Sequence, residues 1–124
     1  MSRAVFLDRD GTLIRDVHYL KDPNDVEIIN GVGEALRIIK RMGYLIFLHT
    51  NQSGIARGYY DWSDVHSCNE RMLQEFGLSA DFFDDVCIAP ESPDQVIQYR
   101  KPSILFQQEM IVKFKLEPSN CWMI

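Results

Sequence analysis

The sequence has 124 residues, a length that fits one domain with a hydrophobic core of its own. Hydrophobic residues make up 46% of it and charged residues 25%, as in ordinary soluble globular proteins, and the net charge is −5. No group of lysines and arginines exceeds two residues and no apolar stretch could span a bilayer, which argues against nucleic acid and membrane as partners.

The N-terminus and the cysteines both favour a cytoplasmic protein. The three residues before Ala4 lead directly into an apolar segment, which leaves no room for a signal peptide. Cys68, Cys87 and Cys121 are odd in number and widely spaced, as expected of reduced thiols. We therefore expect cytoplasmic localisation.

The first element is a short apolar segment, Ala4 to Leu7, followed at once by two acids. Without polar alternation, and with Gly11 close behind, it is typical of a strand buried on both faces. Residues two apart leave a strand on the same face, so Asp8 and Asp10 should lie together where the strand ends. A bound cation such as Mg²⁺ would relieve their repulsion. Such a pair can bind metal, act as general acid and base, or supply a nucleophile and its acid, and a solvated turn is the alternative.

Helices and strands alternate in the next part of the chain. Residues 13–30 mix charged and aromatic side chains, and we predict an irregular excursion beside the acid pair. Apolar spacing predicts a helix from Val32 to a stop at Gly43, then a continuous apolar strand over 44–48. A second helix is predicted after Asp61, which can cap it, with Gly77 as its stop.

The remaining segments continue this alternation. We predict a third strand over 82–89, a loop over 90–99, and a helix that opens at Arg100-Lys101-Pro102 and runs to about Phe114. Residues 121–124 have the character of a fourth strand. Strands alternating with helices predict an α/β fold with a parallel sheet and flanking helices.

Hydrogen-bonding and cationic side chains follow the later strands. Thr50 and Asn51 end the second strand, and in a parallel sheet they would face the same crevice as the acid pair. Lys101 would place a cation near a helix N-terminus, and Arg57 and Arg100 are flanking cations. Carboxylates, neutral donors and a lysine at successive strand ends are what phosphoryl transfer requires. A polar turn and surface salt bridges are the alternative interpretations.

These segments resemble the haloacid dehalogenase superfamily of phosphatases. The run Phe6–Leu13 looks like its first motif, DxDGT, and the run Thr50–Gly58 is similar to the second motif of the histidinol-phosphate and heptose-bisphosphate phosphatase branch. Arg100-Lys101-Pro102 matches the third motif of that branch. The resemblance covers essentially the whole chain. It implies a Rossmann-like fold and a Mg²⁺-dependent phosphatase acting on a heptose bisphosphate, with histidinol phosphate as the alternative substrate.

The resemblance also implies roles for individual residues. Asp8 would attack phosphorus to form an aspartyl-phosphate, and Asp10 would protonate the leaving oxygen and then activate water. Mg²⁺ would be held by the Asp8 carboxylate and the Asp10 backbone carbonyl. The remaining residues would bind a small phosphorylated sugar, with Thr50, Asn51 and Lys101 on the transferring phosphoryl group and Arg57 and Arg100 near the sugar or its second phosphate.

One departure from the branch concerns the loop before the third motif. Better-known members hold a structural zinc there through C-x-H and C-x-C pairs. Here Cys87 is present, but Ala89 stands in place of the histidine, and Ile97 and Tyr99 in place of the later cysteines. One thiolate cannot form a tetrahedral zinc site, so we predict no zinc and a loop held by packing alone.

A second departure concerns the fourth motif, a Gly-Asp followed by a further Asp. It would begin after Ile124 and would supply the remaining carboxylate ligand of Mg²⁺. We therefore expect residues 1–124 to form a single domain that is incomplete at its C-terminus and lacks the last strands. A truncated, non-catalytic remnant that binds phosphate is the alternative function. We expect a monomer, with dimerisation through an exposed last strand as the alternative.

Overall fold

The structure, a computed structural model, describes residues 2–124. Met1, which the sequence places directly before the first strand, lies outside the described residues. In this part of the chain the elements are β1 (Ser2–Leu7), a short 3₁₀ turn (Pro23–Asp25), α1 (Val32–Arg41), β2 (Leu45–Asn51), α2 (Trp62–Phe76), β3 (Asp85–Ala89), α3 (Leu105–Phe114) and β4 (Leu116–Met123). The strands form one parallel sheet in the order β3-β2-β1-β4, which confirms the predicted α/β class.

Strand β1 occupies an inner position because its side chains are buried on both faces. Ala4 to Leu7 are at most 4% exposed, and they pair in register with Leu45–Leu48 of β2. Val5 and Leu7 pack in the core that includes α1 and α2, whereas Ala4 and Phe6 pack on the side of α3. The next residue, Asp8, therefore emerges at the carboxyl edge of the sheet, where open α/β sheets bind ligands.

The ends of α2 follow the sequence prediction. The Asp61 side chain accepts a hydrogen bond from the backbone N–H of Asp64, and the Asp64 side chain accepts one from the backbone N–H of Asp61, which completes a capping box. Gly77 ends the helix in the left-handed conformation at φ 68°, which costs glycine little. None of the helices in residues 2–124 combines the length and apolar character needed to cross a bilayer.

Two strands differ from the prediction in extent. β3 begins at Asp85 rather than Phe82, because the Asp84 side chain accepts the hydrogen bond from Ile46 N–H (2.8 Å) just before the ladder begins. β4 begins at Leu116 rather than Cys121, and its pairing with β1 shifts register between Ser2 and Ala4. The polar residues between Leu116 and Cys121 hid this irregular part of the strand.

The helix predicted to open at Arg100 instead begins at Leu105. Residues 100–103 form a turn closed by the bond from Ser103 N–H to Arg100 C=O (2.9 Å). Lys101 therefore lies four residues before the helix, and the predicted contribution of a helix N-terminus to phosphate binding at Lys101 is wrong. The excursion over 13–30 is irregular, as predicted, and it buries Leu13, Ile14 and Leu20 against the core.

Ile46 tests the core beneath the site. It is fully buried on β2, so Ile46→Ala should lower the free energy of unfolding by about 2–5 kcal/mol. Val112 on α3 is 79% exposed, and Val112→Ala should change it by less than about 0.5 kcal/mol. Urea denaturation of both variants measures the difference, and equal effects would contradict this placement of the core.

Candidate active site

An ion pair joins the end of β1 to the turn before α3. The Lys101 ammonium donates to Asp8 Oδ1 at 2.7 Å and to the backbone carbonyl of His49, also at 2.7 Å. The lysine side chain is 19% exposed and the aspartate side chain 36% exposed, so the pair is only partly screened by solvent. Asp8 and Lys101 are 93 residues apart in sequence, and the sheet brings them together as the motifs predicted.

Asn51 fixes the backbone of the lysine turn. Its side-chain oxygen accepts a hydrogen bond from Lys101 N–H at 2.9 Å, and its amide nitrogen donates to Lys101 C=O at 3.4 Å. The end of β2 therefore holds the turn from which the ammonium extends. In this arrangement the Asn51 side chain is engaged with Lys101.

Asp10 is surrounded by donors that the sequence interpretation did not use. The Arg9 guanidinium donates to both carboxylate oxygens of Asp10, at 2.9 and 3.3 Å, and Gln52 Nε2 donates to Oδ2 at 3.0 Å. Arg9 is fully buried and also donates to Asn69 on α2 at 3.0 Å. Charge-assisted, two-pronged contacts of this kind fix the orientation of a carboxylate.

Gln52 is itself oriented by two buried hydroxyls. Its amide nitrogen also donates to Thr50 Oγ1 at 2.8 Å, and its oxygen accepts from the Tyr60 hydroxyl at 2.6 Å. Burial raises the pKa of Tyr60, so the hydroxyl keeps its proton and donates. The Tyr60 ring covers Gly54, where an added Cβ would overlap the ring. Thr50 therefore reaches Asp10 through Gln52.

The sequence signals for the residues that orient Asp10, directly or through Gln52, differ in strength; these residues are Gln52, Tyr60 and Arg9. Gln52 lies inside the quoted second motif, so its position was available although its role was not. Arg9 lies between two acids on the opposite face of the strand, and a buried cation there must be paired. Tyr60 has no local signal, since its contact depends on the turn that follows the motif.

The two arginines are not brought into contact with the acid pair. Arg57 is exposed, and its charge contributes, after the Ser92 hydroxyl, to lowering the pKa of Asp94 in the following loop. Arg100 donates to the backbone carbonyl of Glu91 at 3.4 Å. Both arginines thus lie by the loop over 90–99, where they flank the site without entering it.

Two cavities border the sheet in residues 2–124. The smaller, of about 200 Å³, is lined by Asp10, Asn51, Ser53 and Tyr60, together with residues of the excursion over 16–20. The larger, of about 850 Å³, lies along β3 and α2 and contains none of the predicted site residues. Because Asp10 and Asn51 line the smaller cavity and Asn51 is hydrogen-bonded to Lys101, we take it as the candidate site.

The carboxylates suit a hard cation. Asp8 Oδ1 is taken by Lys101, whereas no side-chain hydrogen bond within residues 2–124 reaches Asp8 Oδ2. These residues hold no cluster of three or more histidine, cysteine or acidic side chains. Mg²⁺ is commonly held by one or two carboxylates together with waters and substrate phosphates, so the Asp8 and Asp10 positions fit it.

His49 lies next to the site as a buried, neutral imidazole. It is fully buried on β2, and burial lowers its pKa. Its Nε2 lies 2.8 Å from the Tyr99 carbonyl and its Nδ1 lies 2.9 Å from Gln107 Nε2. The neutral tautomer with Nε2–H satisfies both contacts, since it donates to Tyr99 and accepts from Gln107.

Comparison with known proteins places these motifs in a family. The profile of the family described as Polynucleotide kinase 3 phosphatase matches residues 3–121. A D-glycero-beta-D-manno-heptose-1,7-bisphosphate 7-phosphatase of Haemophilus ducreyi is 37% identical over 98% of this chain and 71% of its own length. The protein of the same name from Haemophilus influenzae is 35% identical over 100% of this chain and 71% of its own length.

Solved structures share the fold. A putative HAD-like phosphatase from Mesorhizobium loti is 30% identical with a TM-score of 0.85, covering 98% of this chain and 62% of that one. A heptose 1,7-bisphosphate phosphatase from B. bronchiseptica, complexed with magnesium and phosphate, has a TM-score of 0.81 at 24% identity, covering 91% and 64%. The chain thus spans under two thirds of these two structures.

The lowered pKa of His49 predicts a pH effect on stability. As the pH decreases, His49 of the unfolded chain binds a proton near its ordinary pKa of about 6.5, whereas His49 of the folded chain binds one only at lower pH. The contribution of His49 to the free energy of unfolding should therefore be fully present above pH 6.5. As the pH decreases below 6.5, the free energy of unfolding should decrease by at most about 1.4 kcal/mol per pH unit. Urea denaturation between pH 5 and 7.5 measures this slope.

The matched variants are His49→Gln and His66→Gln. His49→Gln should lose the slope attributable to the buried ring, whereas His66→Gln, at an exposed position on α2, should retain it. A slope unchanged in His49→Gln would show that this histidine is not the buried neutral group.

Proposed function

We propose that this chain, which belongs to the Polynucleotide kinase 3 phosphatase family, is a haloacid dehalogenase-like phosphatase that hydrolyses a phosphorylated sugar in the cytoplasm. The proposed substrate is D-glycero-D-manno-heptose 1,7-bisphosphate, cleaved at the 7-phosphate. The observation that carries the proposal is the Asp8–Lys101 pair, with a nucleophile and a cation in contact at 2.7 Å at the carboxyl edge of the sheet.

Asp8 is the proposed nucleophile. One oxygen of its carboxylate attacks phosphorus as the bond from phosphorus to the sugar oxygen breaks, which leaves an aspartyl-phosphate on the chain. The Lys101 ammonium, held beside Asp8 Oδ1, lies where the negative charge of the transferring phosphoryl group develops. Asn51 contributes by fixing the lysine turn.

Asp10 is the proposed acid and base. In its protonated form it gives its proton to the leaving sugar oxygen in the first step, and the resulting carboxylate takes one back from the attacking water in the second, which restores Asp8 and releases phosphate. Arg9 and Gln52 hold its carboxylate in place, and Thr50 and Tyr60 hold Gln52. This network fixes the orientation of the Asp10 carboxylate, and no hydrogen bond within residues 2–124 joins it to the Asp8 side chain.

Mg²⁺ is the proposed cofactor, held by the Asp8 carboxylate and the Asp10 backbone carbonyl. When bound, it supplies positive charge at the phosphoryl oxygens and screens the two carboxylates from each other. Arg57 and Arg100 lie by the loop over 90–99, where they could contact the sugar or its second phosphate.

The heptose substrate is supported by the names of the relatives that are 35–37% identical to this chain. Histidinol phosphate is the alternative substrate, and a chain that binds phosphate without turnover is the alternative function. Turnover of the two phosphomonoesters with Mg²⁺, measured side by side, separates the substrates. Binding of inorganic phosphate without turnover of either would favour the non-catalytic alternative.

Asp8→Asn tests the nucleophile. The variant should lose phosphate release from the heptose bisphosphate by on the order of 10⁴-fold or more, since the amide cannot form the covalent intermediate. Asp25→Asn, at an exposed position in the 3₁₀ turn, should keep native turnover and serves as the control. A colorimetric phosphate assay measures both, and turnover of Asp8→Asn within a few fold of native would remove Asp8 from this role.

A further inference from the structure

The loop over 90–99 is not held by packing alone, which corrects the sequence expectation, although Tyr99 at its end packs against the core. Its apolar residues at the tip are turned outward, with Val96 92% exposed and Ile97 44% exposed. The buried residues of this loop are instead Glu91 and Ser92, at 9% and 5% exposure. A buried carboxylate in a polar loop must be compensated by donors.

Glu91 closes the loop through a single oxygen. Its Oε2 accepts hydrogen bonds from three consecutive backbone N–H groups, those of Gln98 (2.6 Å), Tyr99 (2.7 Å) and Arg100 (3.2 Å). Successive amides that converge on one anion form a nest, and hydrogen bonds to a charged acceptor are the strong ones. We call Glu91 and these three amides the carboxylate clamp.

The start of the loop is ordered as well. Ser92 N–H donates to the Gln95 side chain at 3.0 Å, and Gln95 N–H returns a bond to Ser92 C=O at 3.1 Å. The Arg100 guanidinium reaches the Glu91 carbonyl at 3.4 Å, so Glu91 contacts the far end of the loop through its backbone as well as its side chain. Although burial alone would raise the pKa of Glu91, the backbone donors outweigh it and the pKa is lowered, which keeps the acceptor charged.

The clamp leads directly to the proposed phosphate site. The carbonyl of Tyr99, a clamp residue, lies 2.8 Å from His49 Nε2, and Arg100 is followed by Lys101. The Lys101 backbone is held by Asn51, and its ammonium reaches Asp8 and the His49 carbonyl. The position of the cation therefore depends on the three residues that Glu91 fixes.

A structural zinc does not fit this loop. In the phosphatase branch that this chain resembles, four positions supply zinc ligands. Here only Cys87 among them carries a thiol, and burial raises the pKa of that thiol to about 12. One thiol supplies only one of the four ligands that a tetrahedral zinc site needs. Ala89 and Ile97 have no donor side chain, and the Tyr99 hydroxyl is bonded to Glu109 at 3.1 Å.

We propose that Glu91 is a positioning residue of this phosphatase. Its carboxylate does in this chain what a bound metal would otherwise do, which is to close the loop and hold Arg100 and Lys101 in reach of Asp8. This inference rests on the proposed function for its effect on turnover, but the clamp and its effect on phosphate binding are measurable without turnover.

The first test measures the clamp itself by amide hydrogen exchange. In the native chain the N–H groups of Gln98, Tyr99 and Arg100 should be protected, and Glu91→Gln should make them exchange faster, because a neutral amide oxygen is a weaker acceptor than a carboxylate, while the melting temperature of the fold changes little. Glu109→Gln is the matched control, because Glu109 contacts the Tyr99 hydroxyl and none of the three amides. Native-like protection in Glu91→Gln would overturn the clamp.

A second variant keeps the test decisive if Glu91→Gln does not fold. Glu91→Asp retains the charge and shortens the reach by one methylene, so faster exchange at the same three amides is expected. Protection equal to native in Glu91→Asp would also overturn the proposal. Metal analysis of the purified chain should find no stoichiometric zinc, and stoichiometric zinc whose chelation releases these amides would contradict it.

The second test measures coupling to Lys101. Glu91→Gln should weaken binding of inorganic phosphate and lower kcat/KM for the heptose bisphosphate by about 10- to 100-fold, since misplacement of a catalytic group by about an ångström costs that much. In a Lys101→Ala background the same substitution should have little further effect.

The double-variant cycle separates positioning from general destabilisation. Independent, additive losses from Glu91→Gln and Lys101→Ala would show that Glu91 does not act through the lysine, which would overturn the proposal. If the native chain binds phosphate with this coupling but releases none from the sugar, the proposed function fails and the clamp stands.

Discussion

The contact between the Lys101 ammonium and the Asp8 carboxylate is the constraint on which the rest of the site depends. Asp8 must lie at the end of a strand buried on both faces, and Lys101, 93 residues later in the sequence, must reach it from the turn before α3. Partial burial strengthens the attraction between the two charges relative to bulk water, but it also requires that neither charge be left alone. The surrounding polar residues meet that requirement by fixing each partner separately.

Each partner has its own support. Around the lysine, the Asn51 side chain holds the backbone, the His49 carbonyl accepts a second ammonium hydrogen bond, and the carboxylate clamp fixes the preceding residues. Around the acids, a buried arginine and a glutamine orient Asp10, and the glutamine is in turn held by two hydroxyls. The two supports meet at the end of β2, where His49 and Asn51 hold the lysine and Thr50, through Gln52, holds Asp10.

The sequence was sufficient for the elements with strong local signals. The apolar run before Asp8 identified the inner strand, the glycine stops located two helix ends, and the motifs brought Asp8, Asn51 and Lys101 to one edge of the sheet. It was insufficient where tertiary contacts decide the outcome. The turn closed by Ser103 moves the start of α3 to Leu105, and the polar residues 117–120 gave no strand signal for the start of β4. Glu91 looks in sequence like a solvated loop acid, and only the folded loop shows it accepting backbone hydrogen bonds.

Beryllofluoride binding tests the central claim most directly, because this anion occupies the place of a phosphoryl group on an aspartate and requires no turnover. Fluorine NMR of the native chain with Mg²⁺ should show bound resonances at one equivalent. Asp8→Asn should lose them, and Lys101→Met should weaken them strongly while leaving the fold intact. Equal binding by the native chain and Asp8→Asn would contradict the assignment of Asp8 and Lys101 as the phosphoryl-transfer pair.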